Sequence, residues 1–286
     1  MKKLLLTTLL TISLACTAVD ASMVMVDYIG ETYVTPNNIE RTLIVNSDDG
    51  KAYNIALRPL EEEISNADGS VTIPLEYLFI NNTREDVYLK YNEYSNVFWG
   101  TEMDGVPQNM TAKIKNYGIV PAGTYSILLE LQATDVETGN TVMSSFDLRF
   151  VVPIVHELNT YSESPKINIS AADAFKTSYK IANEVSPMIY IRSNTDWILS
   201  LDATNFGDAV GTYYVRTTAA SGKVTSRLQE RALITPDREI ILARGKAPAE
   251  NEFVAVEFSV ENPSSGAIKA GNYTNRVRYI LREGRE

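Results

Sequence analysis

Tyr125-Ser126-Ile127-Leu128-Leu129-Glu130-Leu131-Gln132-Ala133-Thr134 sets Tyr125, Ile127, Leu129, Leu131 and Ala133 on one side of the chain and Ser126, Glu130, Gln132 and Thr134 mainly on the other. A period of two is the mark of a strand with one buried and one wet face. The turn Asp135-Val136-Glu137-Thr138-Gly139-Asn140 follows, and from Val142 to Phe150 the alternation resumes, with Val142, Phe146, Leu148 and Phe150 together. Two alternating runs about a polar turn predict a β-hairpin.

The same pattern recurs outward from this hairpin. Tyr273, Val277, Tyr279 and Leu281 alternate with Thr274, Arg276, Arg278 and Arg282, one face apolar and the other cationic. Short runs are broken by turns such as Ser47-Asp48-Asp49-Gly50, Asn66-Ala67-Asp68-Gly69 and Thr235-Pro236-Asp237-Arg238. This punctuation predicts antiparallel sandwiches more than alternating strand and helix. Helix is expected only in short pieces, from Ala171 to Lys176 behind Ser170 as a cap and from Leu60 to Ile64.

The two halves resemble each other. Ala122-Gly123-Thr124-Tyr125-Ser126 recurs as Ala270-Gly271-Asn272-Tyr273-Thr274, each copy expected to open a long strand. Upstream, Leu43-Ile44-Val45-Asn46-Ser47 with Tyr53-Asn54-Ile55-Ala56-Leu57 is matched by Ile189-Tyr190-Ile191-Arg192-Ser193 with Trp197-Ile198-Leu199-Ser200-Leu201. Tyr53 and Tyr125 lie 72 residues apart and Trp197 and Tyr273 lie 76 apart, the spacing a duplication predicts. The expected organisation is a signal peptide over 1–21, a sandwich over 22–153, a linker over 154–165 that opens on Ile154-Val155-His156 just after Pro153 and ends on Pro165, and a second sandwich over 166–286.

Met1-Lys2-Lys3, the apolar run from Leu4 to Ala15 and Val19-Asp20-Ala21 read as a cleavable export signal, too short to span a bilayer. Cys16, the only cysteine, sits where a lipoprotein signal puts its acylated residue. Position −3 from it is Ser13 where such signals favour leucine, so lipidation is the lesser alternative. No later segment reads as membrane-spanning. Without a cysteine the mature chain has no disulfide, thiolate metal site or cysteine nucleophile, and burial must supply its stability. Removing Lys2, Lys3 and Asp20 leaves 24 basic against 35 acidic residues, a net charge of −11. Such a surface repels nucleic acid and anionic lipid, which are excluded as expected partners.

The motif Ala270-Gly271-Asn272-Tyr273-Thr274 with Val277 and Tyr279 is similar to the closing strand of spore-coat-U-type pilin domains. Thr35-Pro36, Leu43-Ile44-Val45-Asn46 and Pro121-Ala122-Gly123-Thr124-Tyr125 resemble the first domain of periplasmic pilus chaperones. The resemblance implies an all-β fold of two tandem immunoglobulin-like antiparallel β-sandwich domains, in a bacterial cell-envelope protein. Two departures stand beside it. Such chaperones are usually basic and hold a subunit's C-terminal carboxylate with cations, whereas this chain is acidic. A pilin would carry an N-terminal donor strand and an incomplete sandwich, whereas Ser22 to Tyr28 is short and both halves read as having closing strands.

Side chains for chemistry are sparse. His156 is the sole histidine and is expected at the surface of the linker; no Gly-x-Ser-x-Gly elbow, second zinc-spaced histidine or phosphate-cradling glycine loop accompanies it. The carboxylates Glu61-Glu62-Glu63, Asp48-Asp49 and Asp104 read as solvated charge. No catalytic residue, metal ligand or cofactor is assigned. The densest aromatic stretch is Tyr88, Tyr91, Tyr94, Phe98 and Trp99, candidate binding residues if exposed and core if buried. The sequence is therefore expected to be a non-enzymatic structural or adhesive binding module of the periplasm or cell surface, with an envelope or pilus protein, or a glycan, as its partner. A periplasmic chaperone for pilus subunits and a secreted carbohydrate-binding or carbohydrate-active protein are the alternatives.

Overall fold

A computed structural model describes residues 24–35, 38–47, 49–102, 108–115, 117–160, 164–174, 176, 178–205, 211–236, 238–262 and 271–284. The expected signal peptide and Cys16 lie outside the described residues.

The first half contributes β1 (Val24–Val34), β2 (Asn38–Ser47), β3 (Ala52–Pro59), β4 (Glu63–Asn66), β5 (Thr72–Pro74), β6 (Leu78–Asn81), β7 (Asp86–Tyr88), β8 (Ser95–Glu102), β9 (Gln108–Lys115), β10 (Gly123–Asp135) and β11 (Thr141–Val152). One sheet has the order β1-β2-β9-β6-β7. The other runs β5-β4-β10-β3-β8, with β11 on the free side of β10. The hairpin pairs Tyr125 with Phe150 and Ala133 with Val142 in unbroken register. All five odd-numbered apolar residues of β10 are buried and enclose one core with Leu43, Val45, Tyr53, Ile55, Leu57, Leu78, Ile80 and Ile114 from both sheets. Burying one such side chain contributes about 1.5–3 kcal/mol. Tyr125 keeps its hydroxyl satisfied by donating to the Pro121 carbonyl at 2.8 Å, and burial lifts its phenol to about 12.

The second half supplies β12 (His156–Thr160), β13 (Tyr179–Ala182), β14 (Met188–Ser193), β15 (Trp197–Asn205), β16 (Thr212–Ala220), β17 (Val224–Arg227), β18 (Ala232–Leu233), β19 (Ile240–Gly245), β20 (Ala249–Asn262) and β21 (Arg276–Glu283). Its sheets run β12-β14-β20-β16-β18, joined by β13 on β20, and β17-β19-β15-β21. A separate core of Ile189, Ile191, Trp197, Leu199, Leu201, Val215, Leu242, Val254, Val256 and Phe258 lies between them.

The two strand orders match. β12, β14, β20, β16 and β18 stand as β1, β2, β9, β6 and β7 do, and β21 lies on β15 as β10 lies on β3. The register agrees too. Tyr53 faces Asp135, ten residues after Tyr125, and Trp197 faces Glu283, ten residues after Tyr273. The sequence repeat is thus a repeat of topology and pairing.

Three local expectations come out differently. Leu60 to Ile64 is a bend entering β4, not a helix, because Leu60 N–H donates to the Leu128 carbonyl and Glu61 accepts the Leu128 N–H. The predicted helix behind Ser170 does form, as Ala171–Ala174, with Ser170 Oγ accepting the Asp173 N–H at 3.1 Å. The stretch read as linker carries β12, paired with β14, and His156 is half-buried there. Finally, Tyr273 opens no strand and is 44% exposed, whereas Tyr125 is 1% exposed. In the first half β4 pairs with Tyr125 and Ser126, whereas β21 begins only at Arg276, opposite Asn205, three residues after Tyr273.

Candidate functional site

Five aromatic residues were singled out by sequence, and the fold separates them. Tyr88 ends β7 and is 63% exposed, its ring edge-on to Phe79 at 5.2 Å. Tyr91, in the following turn, is 49% exposed. Trp99 on β8 is 67% exposed. Between β3 and β8, Tyr53 and Ile55 face Thr101 and Phe98, one residue more on β8 than on β3, and a second slip follows at Asn96. Such bulges re-aim side chains. Phe98 thereby turns into the core while Trp99 faces outward, and the positive φ of Gly100 completes the kink, its N–H donating to Asn54 Oδ1 at 2.7 Å. Tyr94 is engaged elsewhere. The Arg58 guanidinium lies 4.7 Å from its ring centroid, and its hydroxyl donates to Glu130, which also holds Arg58 at 2.5 Å. Tyr88, Tyr91 and Trp99 are thus exposed, whereas Phe98 is buried and Tyr94 is engaged by Arg58 and Glu130.

The sheet edges carry a second difference, which the sequence reading missed. In the first half β11 flanks β10, and Leu129, Leu131 and Ala133 are fully buried. By the shared register, Val277, Tyr279 and Leu281 of β21 hold the same places, and all three are only half-buried. Among the described residues no strand lies on the far side of β21, which pairs only with β15. The closing strand expected from Val277 and Tyr279 does form, as β21, without a strand like β11 beside it among the described residues. Two arginines of the cationic stripe on the other face are paired, Arg278 with Asp202 at 2.7 Å and Arg282 with Glu239 at 3.1 Å.

The corresponding edge of the first half is occupied by side chains. Tyr28 of β1 donates its hydroxyl to the Asp147 carbonyl and accepts the Arg149 N–H at 3.1 Å, and Thr32 Oγ1 accepts the Val151 N–H at 2.8 Å. These are the backbone groups an added strand would use. Burial raises the Tyr28 phenol, so it stays a donor at neutral pH.

Where the halves meet, Asn194 is 3% exposed and bonded through both its side chain and its backbone. Its side chain donates to the Pro153 carbonyl at 2.8 Å and accepts the Val155 N–H at 2.7 Å; its N–H donates to the Val155 carbonyl at 3.2 Å, and its carbonyl accepts the Ala122 N–H of the first half at 3.0 Å. A cleft of about 80 Å³ lies beside this junction, with Val34, Ile114, Tyr117 and Val152 on one side and Arg192 and Glu157 on the other. Arg192 bonds both Glu157 oxygens at 3.3 Å, so the cleft's cation is paired rather than presented to a ligand. Among the described residues no group of three or more His, Cys, Asp or Glu side chains is placed to hold a metal, and no helix is long and apolar enough to cross a membrane.

No family model matches the chain, and no curated protein does. Among solved structures, one described as a chaperone–tip adhesin complex of CFA/I fimbriae biogenesis is 8% identical, with 90% of this chain and 78% of that chain covered and a TM-score of 0.31. A protein of unknown function from Porphyromonas gingivalis W83 is 15% identical, with 83% and 82% covered and a TM-score of 0.25. At these scores neither likeness bears on what the chain does. Its own fold defines the class: an all-β protein of two sandwich cores.

Proposed function

We propose that this is an exported, non-enzymatic binding module of the cell envelope, associated with pili, whose second sandwich takes up an extended strand from a partner protein. The uncovered flank of β21 carries the reading. Val277, Tyr279 and Leu281 are only partly buried where Leu129, Leu131 and Ala133 are fully buried. An incoming strand would bond to the outer backbone of β21 and lay alternate residues beside those three, as β11 lays Phe146, Ser144 and Val142 beside Leu129, Leu131 and Ala133 in the first half. Export rests on the charged, apolar and small-residue order of Met1 to Ala21.

The test is titration with alternating-apolar strand peptides, beginning with one of the sequence Thr141–Val152, followed by thermal unfolding. A peptide present at about 100 times its Kd should stabilise the fold by about 2.7 kcal/mol, and Val277→Lys should abolish the effect. If no peptide of this pattern shifts the melting temperature, and no strand-bearing partner is recovered from envelope fractions, the reading fails.

A second reading is favoured by the exposure of Tyr88, Tyr91 and Trp99: an adhesive surface for a protein or glycan on the first sandwich. Replacing all three by alanine should weaken capture of that partner at least about tenfold while leaving the melting temperature within about 1 °C, since exposed rings stabilise a partner's contact and not the core. Equal capture by the triple variant would dismiss it.

A further inference from the structure

His156 is the only histidine in the chain, so it alone among side chains has an ordinary titration range close to neutrality. Its Nδ1 lies 2.9 Å from Ser193 Oγ. The Ser193 hydroxyl sits 2.6 Å from the Thr195 carbonyl, which can only accept. The serine hydrogen is committed there, so the ring must supply the hydrogen of the His156–Ser193 bond. Nδ1 is therefore protonated and Nε2 carries the lone pair. That Nε2 is buried, and no partner reaches it among the described residues.

A second proton can enter only at Nε2, where it makes a buried cation with an unmet donor. Burial accordingly pushes the imidazole below its usual range, and the Glu283 carboxylate of β21 opposes this from the facing strand. On β14 the neighbouring charge, Arg192, is bonded to Glu157, and beyond the turn Asp196 is bonded to Lys246 at 2.6 Å. To satisfy the new N–H the ring must swing toward water or toward Glu283, and either movement abandons Ser193.

The residues beside this pair are those that join the two halves. His156 follows Val155 and Ser193 precedes Asn194, and Val155, Asn194 and Ala122 form the bonds across the junction. We propose that protonation of His156 releases the Asn194 clasp, so that the two sandwiches are held as one rigid body at neutral pH and become hinged in mild acid.

Amide hydrogen exchange on the full chain tests this, with intrinsic rates divided out, at about pH 7.5 and about pH 5. Protection at Ala122, Val155 and Asn194 should fall about tenfold in acid relative to the core amides of β10 and β20, and His156→Gln should remove the difference. Unchanged protection of these three amides at the lower pH overturns the proposal, as does an equal loss in His156→Gln or, should that variant fold poorly, in His156→Asn. Strand uptake by β21 involves none of these amides, so failure here and failure of the proposed function are separable.

Discussion

Gly245 has no side chain because Trp197 takes the room. A β-carbon at Gly245 would stand 2.2 Å from the indole Cζ2 of a tryptophan that is 1% exposed. Gly245→Ala should therefore destabilise the second half by about 1–3 kcal/mol, the usual cost of overpacking a rigid core, measured by denaturant unfolding. Asp135 is a different kind of fixed residue. The N–H groups of Thr138 at 3.0 Å and Glu137 at 2.8 Å, with Lys51 at 3.3 Å, hold its carboxyl down at about 2. Because the folded state lowers this value, the carboxylate's stabilisation is complete above the unfolded value of about 4 and is lost as pH falls from there through about 2. In Asp135→Ala that portion of the acid-unfolding curve should flatten. His156 has the same sign at a higher range: the unfolded chain takes up its proton more readily, so its contribution is complete above about pH 6.5 and declines below it. A stability profile of His156→Gln that still bends there would contradict this.

At the scale of the element, the strands were legible wherever period-two alternation was long, and β10 and β11 follow the sequence reading in residue and register. What escaped the sequence depends on neighbours across space. Alternation tells which face of β21 is buried, but not whether another strand lies beside it. Composition marks Tyr94 and Trp99 alike as aromatic, but only the bulges in β8 and the position of Arg58 decide that one is held and the other bare. The Leu60–Ile64 misreading has the same origin, since a bond to Leu128, 68 residues away from Leu60, outweighs local helix preference. Tyr28 shows how much one distant side chain can matter to an edge. Tyr28→Phe removes the hydroxyl that occupies both the Asp147 carbonyl and the Arg149 N–H. Loss of about 1 kcal/mol in stability is expected, together with concentration-dependent self-association in sedimentation that the parent chain does not show.

For the whole molecule, Asn194 bonds across the junction of the two cores. Its side chain supplies two bonds to the connecting segment, to Pro153 and Val155. Each is worth about 1 kcal/mol, so Asn194→Ala should divide a single calorimetric transition into two, one for each sandwich. A single unchanged transition would show that the cores are coupled by other means. The unequal edges have a consequence for any array in which this protein takes part. An additional chain finds Tyr28 and Thr32 already seated along β11, while β21 stands bare. Of these two edges only β21 leaves its outer backbone to a newcomer, so strand addition there would give the two ends of the molecule unlike roles.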